Sequence, residues 1–172
     1  MNIRRLLVSD APAVQALRLA GLLEAPTAFG SSHEEEKDWP TSVVATLLQH
    51  GVDLAFFGAF RAQSLIGAVA FDRERVTHRS HKGLIWGMYV LPDYRSMGVA
   101  RALLAHLLAF AADVPGVRQL NATVNSGNAI ALRLFESFGF RAFGVEPDAM
   151  FIAGQFHSET HLCLHLSSTS TR

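Results

Sequence analysis

A single stretch of residues 83–104, GLIWGMYVLPDYRSMGVARALL, constrains the fold more than any other part of the chain. It begins with mostly apolar residues typical of a strand, and Pro92 ends that strand because proline has no N–H for a sheet. Residues 99–112 follow with apolar residues in the repeat of a helix. Gly98 and Ala100, at the start of that helix, are small enough for another group to approach the backbone closely. The chain therefore contains a strand-turn-helix unit with an accessible helix N-terminus.

The rest of the chain divides into strands and helices around this unit. Residues 53–74 predict a hairpin of two strands that turns near residues 62–64. Asp10 is expected to cap a first helix, which fades near residue 25. This order predicts an α/β or α+β fold, a sheet with helices on its faces. The other predicted elements are strands over residues 3–8, 118–124, 140–145 and 157–166 and helices over residues 42–49 and 128–138.

Composition limits the class of protein. The 172 residues are 49% hydrophobic and 17% charged, which indicates one globular domain, predicted over residues 1–166 with a disordered tail at 167–172. The formal net charge is zero and no basic run occurs, so we expect no nucleic acid partner. The sequence shows neither an export signal nor a run of about 18 apolar residues, so we expect no membrane association.

Cysteine content and surface composition give two further expectations. The lone Cys163 cannot form an internal disulfide and fits a reducing compartment, so we expect a cytoplasmic protein. A neutral chain with this apolar excess is expected to cover part of its surface with a second copy. The commonest arrangement of that kind is a two-fold homodimer.

The turn before the helix has the composition of a phosphate site. A helix N-terminus presents unpaired backbone N–H groups and a partial positive charge, which together attract anions. In RSMGVA, Arg95 adds a guanidinium that can grip phosphate, and Gly98 and Ala100 leave room for the phosphate oxygens. The strings of the Walker loop and of the dinucleotide fingerprint are absent. The spacing Arg-x-x-Gly-x-Ala therefore indicates a phosphate loop of a different kind.

Two motifs together resemble the GNAT superfamily of N-acetyltransferases. MYVLPDYRSMGVARALL is similar to the family's segment Arg/Gln-x-x-Gly-x-Gly/Ala, which cradles the pyrophosphate of acetyl-coenzyme A (acetyl-CoA). NSGNAIALRLFESFGF is similar to the family's helix Asn-x-x-Ala-x-x-Leu-Tyr-x-x-x-Gly-Phe. The resemblance runs from Ile3 to Leu166 and implies a mixed, mostly antiparallel sheet of about seven strands, with helices on both faces and a splayed fourth and fifth strand. The matches in the second motif are Asn128, Ala131, Leu134, Gly139 and Phe140.

The resemblance also implies a role for the matched positions. The edge of the fourth strand, Met88 to Val90, would pair with the pantetheine arm and polarise the thioester carbonyl. The implied reaction transfers the acetyl group of acetyl-CoA, a co-substrate, to a primary amine of a small molecule, an amino acid derivative or a peptide terminus by direct attack. The alternative is a non-catalytic module that binds or senses acyl-CoA. The implied cofactor-binding residues are Met88, Tyr89, Val90, Arg95, Ser96, Met97, Gly98, Val99, Ala100 and Asn128.

One departure from the family pattern concerns the catalytic acid. Many relatives have a tyrosine as candidate acid where this chain has Phe135, and a phenyl ring donates no proton. Tyr89 is then the candidate that would protonate the departing thiolate. Two alternatives stay open: Tyr89 only packs against a helix, or the thiolate leaves without an acid because thiols are already fairly acidic.

The segment SSHEEEKDWP lies where relatives build one wall of the acceptor pocket. Glu34, Glu35 and Glu36 are therefore candidates to bind a cationic amine or to take its proton, and the alternative is a solvated run of charges before a helix. Phe29 and Trp86 are the apolar candidates for the same pocket. Strand alternation places Trp86 on the same face as Met88, either in the acceptor site or in the core.

The segment HSETHLCLH raises the possibility of a metal site. Alternation along a strand places its histidines, Glu159 and Cys163 on one face. The metalloprotease string His-Glu-x-x-His is absent, however, and relatives have an ordinary strand at this position. We therefore expect no metal and no catalytic role for Cys163.

Overall fold

The computed structural model describes residues 1–49 and 51–166, and the predicted tail at 167–172 lies outside the described residues. Its elements follow the predicted order along the chain. The strands are β1 (Asn2–Arg5), β2 (Leu54–Arg61), β3 (Ser64–Arg73), β4 (Lys82–Val90), β5 (Gln119–Asn125), β6 (Arg141–Ile152) and β7 (Gln155–His165). The helices are α1 (Ala11–Glu24), α2 (His33–Glu36), α3 (Thr41–Leu48), α4 (Val99–Ala112) and α5 (Ala129–Glu136).

The strands form one seven-stranded sheet in the order β1-β2-β3-β4-β5-β7-β6. Every neighbouring pair is antiparallel except β4 and β5, which run parallel. Helix α4 connects those two parallel strands, as a parallel pair requires a crossover of at least a dozen residues. The predicted mixed, mostly antiparallel α/β fold is confirmed.

Strands β4 and β5 stay together over only four residues each. Their pairing runs from Lys82 opposite Gln119 to Ile85 opposite Ala122, and no further β4–β5 pair occurs within residues 1–49 and 51–166. Beyond Ile85, β4 remains paired with β3 on its other side. The two strands therefore diverge toward their carboxyl ends, which confirms the predicted splay and leaves one edge of β4 without a strand partner.

A bulge in β4 begins where the divergence begins. Ala70 of β3 lies opposite Trp86, but Ala68 lies opposite Tyr89, so β4 contains one residue more than β3 over this interval. Gly87 lies inside the bulge with φ of +63°, a conformation that glycine adopts without steric cost. The prediction that Trp86 and Met88 share a face was wrong because the extra residue reverses the alternation.

Two apolar layers cover the two faces of the sheet. On one face, α4 and Phe135 of α5 pack over alternate residues of β2 and β3, including Phe57 and Phe71, together with Met88. On the other face, α1 and α3 pack over the remaining set, which includes Phe60 and Tyr89. Both faces therefore carry helices, and the chain has room for a cleft where the layers meet the open edge of β4.

The helices in the described ranges are short. The longest, α1 and α4, have 14 residues each, and within residues 1–49 and 51–166 no helix is long and apolar enough to cross a membrane.

Some local predictions were wrong, each for a tertiary reason. Strand β1 ends at Arg5 because Val8–Asp10 form a 3-10 turn, in which the Asp10 N–H donates to the Leu7 carbonyl at 2.9 Å; Asp10 also forms a bidentate ion pair with Arg4. Asp10 makes no side-chain cap of α1; its carboxylate also accepts a bond from the Leu7 N–H at 2.7 Å. Strand β6 extends to Ile152 instead of ending near residue 145, since its hairpin with β7 continues through two bulges.

Candidate active site

The N-terminus of α4 presents unpaired backbone donors. Gly98 precedes the helix with φ of +79° and supplies no side-chain cap. The backbone N–H groups of residues 96–100 donate no hydrogen bond to any residue within 1–49 and 51–166. A Cβ added to Gly98 would meet no protein atom within 4 Å, so the space beside these donors is open. The arrangement is that of an anion site, as the sequence predicts.

Arg95, the predicted phosphate-gripping residue, is already bonded to the protein. Its Nε donates to the Val90 carbonyl at 3.0 Å, Nη1 donates to Glu24 at 2.9 Å, and Nη2 donates to the other oxygen of the same carboxylate. The Tyr89 hydroxyl donates to Glu24 at 3.2 Å. The guanidinium therefore ties the end of α1 to the end of β4, beside the anion site.

Tyr89 contributes a proton donor that is oriented toward a carboxylate. Burial, reinforced by the negative charge of Glu24, raises the pKa of the Tyr89 phenol. The hydrogen bond from Arg95 lowers the pKa of Glu24 despite partial desolvation. At neutral pH, Tyr89 is therefore protonated and Glu24 ionised, and the phenolic proton is engaged with Glu24.

Two asparagines lie between the end of β5 and the start of α5. Asn128 caps α5, since its Oδ1 accepts a bond from the Ala131 N–H at 3.0 Å. The Oδ1 of Asn125 accepts a bond from the Gly127 N–H at 2.9 Å. The Nδ2 of Asn125 is buried and has no hydrogen-bond partner within residues 1–49 and 51–166. A buried donor without a partner is costly, so this amide is a group that a ligand acceptor would stabilise.

A pair of adjoining cavities opens on the other face of β4. The outer cavity, of 190 Å³, lies between α1, α3 and the sheet, and its wall includes Val14, Arg18, Glu36, Val44, Phe56 and Trp86. The inner cavity, of 50 Å³, shares four of these residues and also contacts Phe29, Ala70, Gly87 and Tyr89. The inner cavity thus reaches the β4 bulge. Phe29 and Trp86, both predicted for the acceptor pocket, lie in its wall.

The three predicted glutamates lie in different surroundings. Glu36 is only 7% exposed and accepts bonds from Arg18 and Ser31 in the wall of the outer cavity. The side chain of Glu34 is 76% exposed and pairs with Lys37. Glu35 bonds back to Ser32 and closes the capping box of α2. Of the three, the structure brings only Glu36 into contact with the cavities.

Phe135 and His161 of the histidine-rich strand β7 contact other side chains of the protein. Phe135 is 5% exposed and meets Phe140 edge to face at 5.1 Å between ring centroids. The His161 ring lies 3.3 Å from the Glu146 carboxylate and 3.4 Å from the Thr123 hydroxyl. In the part of the chain that the structure describes, no three His, Cys, Asp or Glu side chains are grouped to hold a metal ion.

Comparison with known proteins agrees with this geometry. The model of the acetyltransferase (GNAT) family matches residues 22–140, more than half of the chain. The chain belongs to the GNAT family. The resemblance inferred from the two motifs is confirmed, and members of this family use acetyl-CoA as co-substrate.

The relatives of this GNAT protein include a curated enzyme with a similar sequence and solved structures with the same fold. The L-2,4-diaminobutyric acid acetyltransferase of Streptomyces avermitilis is 34% identical over 84 residues, which are 48% of this chain. The chain spans about half the length of that curated relative, 47%. The structure of yncA from Salmonella typhimurium, solved with acetyl-CoA, shares the fold with a TM-score of 0.87 and 19% identity, over 100% of this chain and 97% of the other. The structure of a GNAT acetyltransferase from Streptococcus pneumoniae shares it with a TM-score of 0.84 and 19% identity, over 96% of this chain and 99% of the other.

Sequence reasoning missed three residues that shape the site of this GNAT protein. Glu24 holds Arg95, Arg18 holds Glu36, and Asn125 carries the unpartnered amide. Asn125 had a usable signal, because it directly follows the strand predicted over residues 118–124 and is the first residue of the segment NSGNAIALRLFESFGF. The partners of Glu24 and Arg18 lie 71 and 18 residues away in sequence, and no local pattern indicates such pairs.

The buried pair of Arg18 and Glu36 predicts a pH-dependent contribution to stability. The hydrogen bonds from Arg18 lower the pKa of Glu36 below its ordinary value. The pair therefore stabilises the fold fully above about pH 4.3, and this contribution is lost as the pH falls through the lowered folded pKa. We expect Glu36→Gln to reduce the free energy of unfolding by about 1–3 kcal/mol at neutral pH, because Arg18 loses its counter-charge.

Urea unfolding at about pH 7 and about pH 4 measures this difference, which should narrow at the lower pH. The control is Glu34→Gln, which removes an exposed carboxylate two residues away and should change stability little at either pH. A Glu36→Gln difference that stays constant with pH would contradict the assignment.

Proposed function

We propose that this GNAT protein transfers an acetyl group from acetyl-CoA to a primary amine by direct attack. The observation that carries the proposal is that two binding features, a free strand edge and a turn with free N–H groups, follow one another directly along the chain. The open edge of β4 leads directly into a turn with five unpartnered N–H groups at residues 96–100. A ligand with an amide-bearing arm and a phosphate end is suited to that combination.

Each part of acetyl-CoA has donors that fit it. The N–H groups of residues 96–100 would bind the pyrophosphate, and Arg95 lies beside them. The β4 edge from Met88 to Val90 would pair with the pantetheine amides. Its N–H groups would also polarise the thioester carbonyl as negative charge develops on the oxygen. Asn128 begins α5 near the same gap, and the unpartnered Nδ2 of Asn125 supplies one more donor to a carbonyl.

The acceptor amine would approach from the cavities on the opposite face of β4. The inner cavity contacts Gly87 in the bulge, so an amine seated there would lie beside the β4 backbone. The ammonium first loses one proton, and the neutral amine then attacks the thioester carbonyl. The C–N bond forms, the C–S bond breaks as the tetrahedral intermediate collapses, and the second proton of the nitrogen is lost while the departing thiolate takes up a proton to become the free thiol. Glu36 is a poor base because Arg18 lowers its pKa, so we assign it the role of anchoring Arg18. Deprotonation of the amine by solvent is then the simplest route.

The curated relative supports an amine as the acceptor. The protein of Streptomyces avermitilis that matches half of this chain acts on L-2,4-diaminobutyric acid, by its name. A small molecule, an amino acid derivative or a peptide terminus all supply a primary amine. The alternative, an acyl-CoA binding module without transfer, would use the same cofactor gap but would release no free thiol with any amine.

Two further proposals concern assembly and location. We propose a homodimer, supported by Phe143, Val145, Phe151 and Phe156 in the β6–β7 hairpin, each at least 60% exposed. Strand β6 lies at the edge of the sheet, where apolar side chains and free backbone groups favour pairing with another chain. A cytoplasmic location is supported by the single unpaired Cys163.

Gly98→Val tests the cofactor loop. A valine there would need a strained positive φ and would put a branched side chain beside the anion donors. We expect the Kd for acetyl-CoA, measured by calorimetry, to rise at least about tenfold, or roughly 1.4 kcal/mol.

The matched control is Gly154→Val in the β6–β7 turn, where φ is +82° and a Cβ likewise meets nothing within 4 Å. The control carries the same backbone strain without touching α4, so it should leave the Kd unchanged. Equal Kd values for Gly98→Val and the unmodified protein would contradict the assignment of the loop.

Tyr89→Phe tests whether the phenol donates a proton to the departing thiolate. The phenolic proton is engaged with Glu24, so we expect departure without this acid and a single-turnover rate within about twofold of the unmodified protein. A fall of roughly tenfold or more, with unchanged affinity for acetyl-CoA, would instead establish Tyr89 as the general acid.

A further inference from the structure

We infer that the acceptor is a primary amine with one bulky apolar group, an aryl or a branched alkyl chain, and no second charge. The inference rests on the proposed function, because it assigns the outer and inner cavities to the acceptor. Of the two motifs only Tyr89 contacts these cavities, which are formed mainly by α1, α3 and the face of the sheet opposite α4. Their walls, volume and charges each support the same class of molecule.

The walls are apolar on three sides. Helix α1 contributes Val14 and Leu19, helix α3 contributes Val44 and Leu47, and the sheet contributes Phe56 and Trp86. The Phe56 and Trp86 rings meet edge to face, with centroids 5.5 Å apart and planes at 81°. Such a wall favours an apolar ligand, since burial of apolar surface contributes about 25 cal/mol per Å².

The volume suits one ring or one branched chain. An engineered apolar cavity of about 150 Å³ binds benzene in another protein. The outer cavity, at 190 Å³, exceeds that size, and the inner cavity adds 50 Å³ on the path to Gly87. An amine with its apolar group in the outer cavity can therefore extend its nitrogen toward the β4 bulge.

The polar side chains in the wall of the outer cavity already have hydrogen-bond partners within the protein. Arg18 and Glu36 form a two-bond ion pair of zero net charge. The Gln15 amide donates to the Trp39 carbonyl at 2.6 Å, and its oxygen accepts a bond from Thr41 at 2.6 Å. A second charged group on the acceptor would lose its hydration and find no unmatched opposite charge. The cavity thus disfavours short diamines.

The kinetic test compares four primary alkylamines, each as the only acceptor. With acetyl-CoA saturating, kcat/KM is measured for 3-methylbutylamine, 2-phenylethylamine, ethylamine and 1,3-diaminopropane by release of free thiol. We expect the two bulky amines to exceed ethylamine and the diamine by about 10- to 100-fold, in line with burial of one apolar group. A ratio near one, or a preference for the diamine, overturns the inference and leaves the proposed function standing.

A matched pair of variants tests whether the outer cavity causes the preference for bulky amines. Val44 lies in the cavity wall, whereas its neighbour Val43 is 38% exposed and lies outside both cavities. Val44→Thr keeps the shape but adds a hydroxyl, so we expect the ratio of kcat/KM for 3-methylbutylamine over ethylamine to fall by about three- to tenfold. Val43→Thr should leave the ratio unchanged. Equal ratios in the two variants overturn the assignment.

Fluorescence tests the cavity without any turnover. The sequence has two tryptophans, Trp39 and Trp86, and both line the outer cavity. Titration with 3-methylbutylamine, without acetyl-CoA, should give a saturable change in emission that ethylamine does not give at the same concentration. Absence of that change overturns the inference. If the change occurs but no amine is acetylated, the proposed function fails while the assigned ligand class stands.

Discussion

The parting of β4 from β5 is the constraint on which the rest of this structure depends. Four residues of each strand pair, and β4 then bulges at Gly87 while β5 continues alongside β7. A closed sheet would use all of the β4 backbone groups, whereas this one leaves an edge in the middle of the molecule. Isolated edges of this kind are costly unless they are covered, so a ligand that pairs like a strand is the natural occupant. The bulge also turns Trp86 and Tyr89 to one face and Met88 to the other.

Two arginine–glutamate pairs, both with one member on α1, set the charge of the site. Arg95 with Glu24 lies beside the anion donors of α4, and Arg18 with Glu36 lies in the wall of the outer cavity. Both pairs are internally neutral, so neither region presents a strong isolated charge before ligands arrive. The backbone dipoles at residues 96–100 then provide the unmatched positive potential, which places the attraction for phosphate at the loop itself.

Much of this architecture follows from sequence because its signals are local. Helix α4 begins and ends at the predicted residues, 99 and 112, and the hairpin of β2 and β3 turns where expected. The unpartnered donors at the start of α4 were predicted from Arg95, Gly98 and Ala100 at a helix N-terminus, and their role as a phosphate site stays a prediction. The resemblance implies a bulged and splayed fourth strand, but the side-chain placements that depend on the position of the bulge or on distant partners were not predicted. The bulge at Gly87 reversed the expected face of Met88, and the distant Arg18 determined which glutamate faces the cavity.

Helix α1 forms part of both halves of the site. Val14 and Arg18 line the cavities, and Glu24, at the last turn of the same helix, holds Arg95 at the phosphate loop. A helix is a rigid element that can carry coupling between two regions, and the 14 residues of α1 connect these two directly. If acetyl-CoA draws Arg95 from Glu24, the released end of α1 changes the width of the acceptor cavity. By thermodynamic linkage, an amine in that cavity must then alter the affinity for acetyl-CoA by the same factor. The two substrates would then be coupled through α1 as well as through Tyr89, which belongs both to the β4 edge and to the wall of the inner cavity.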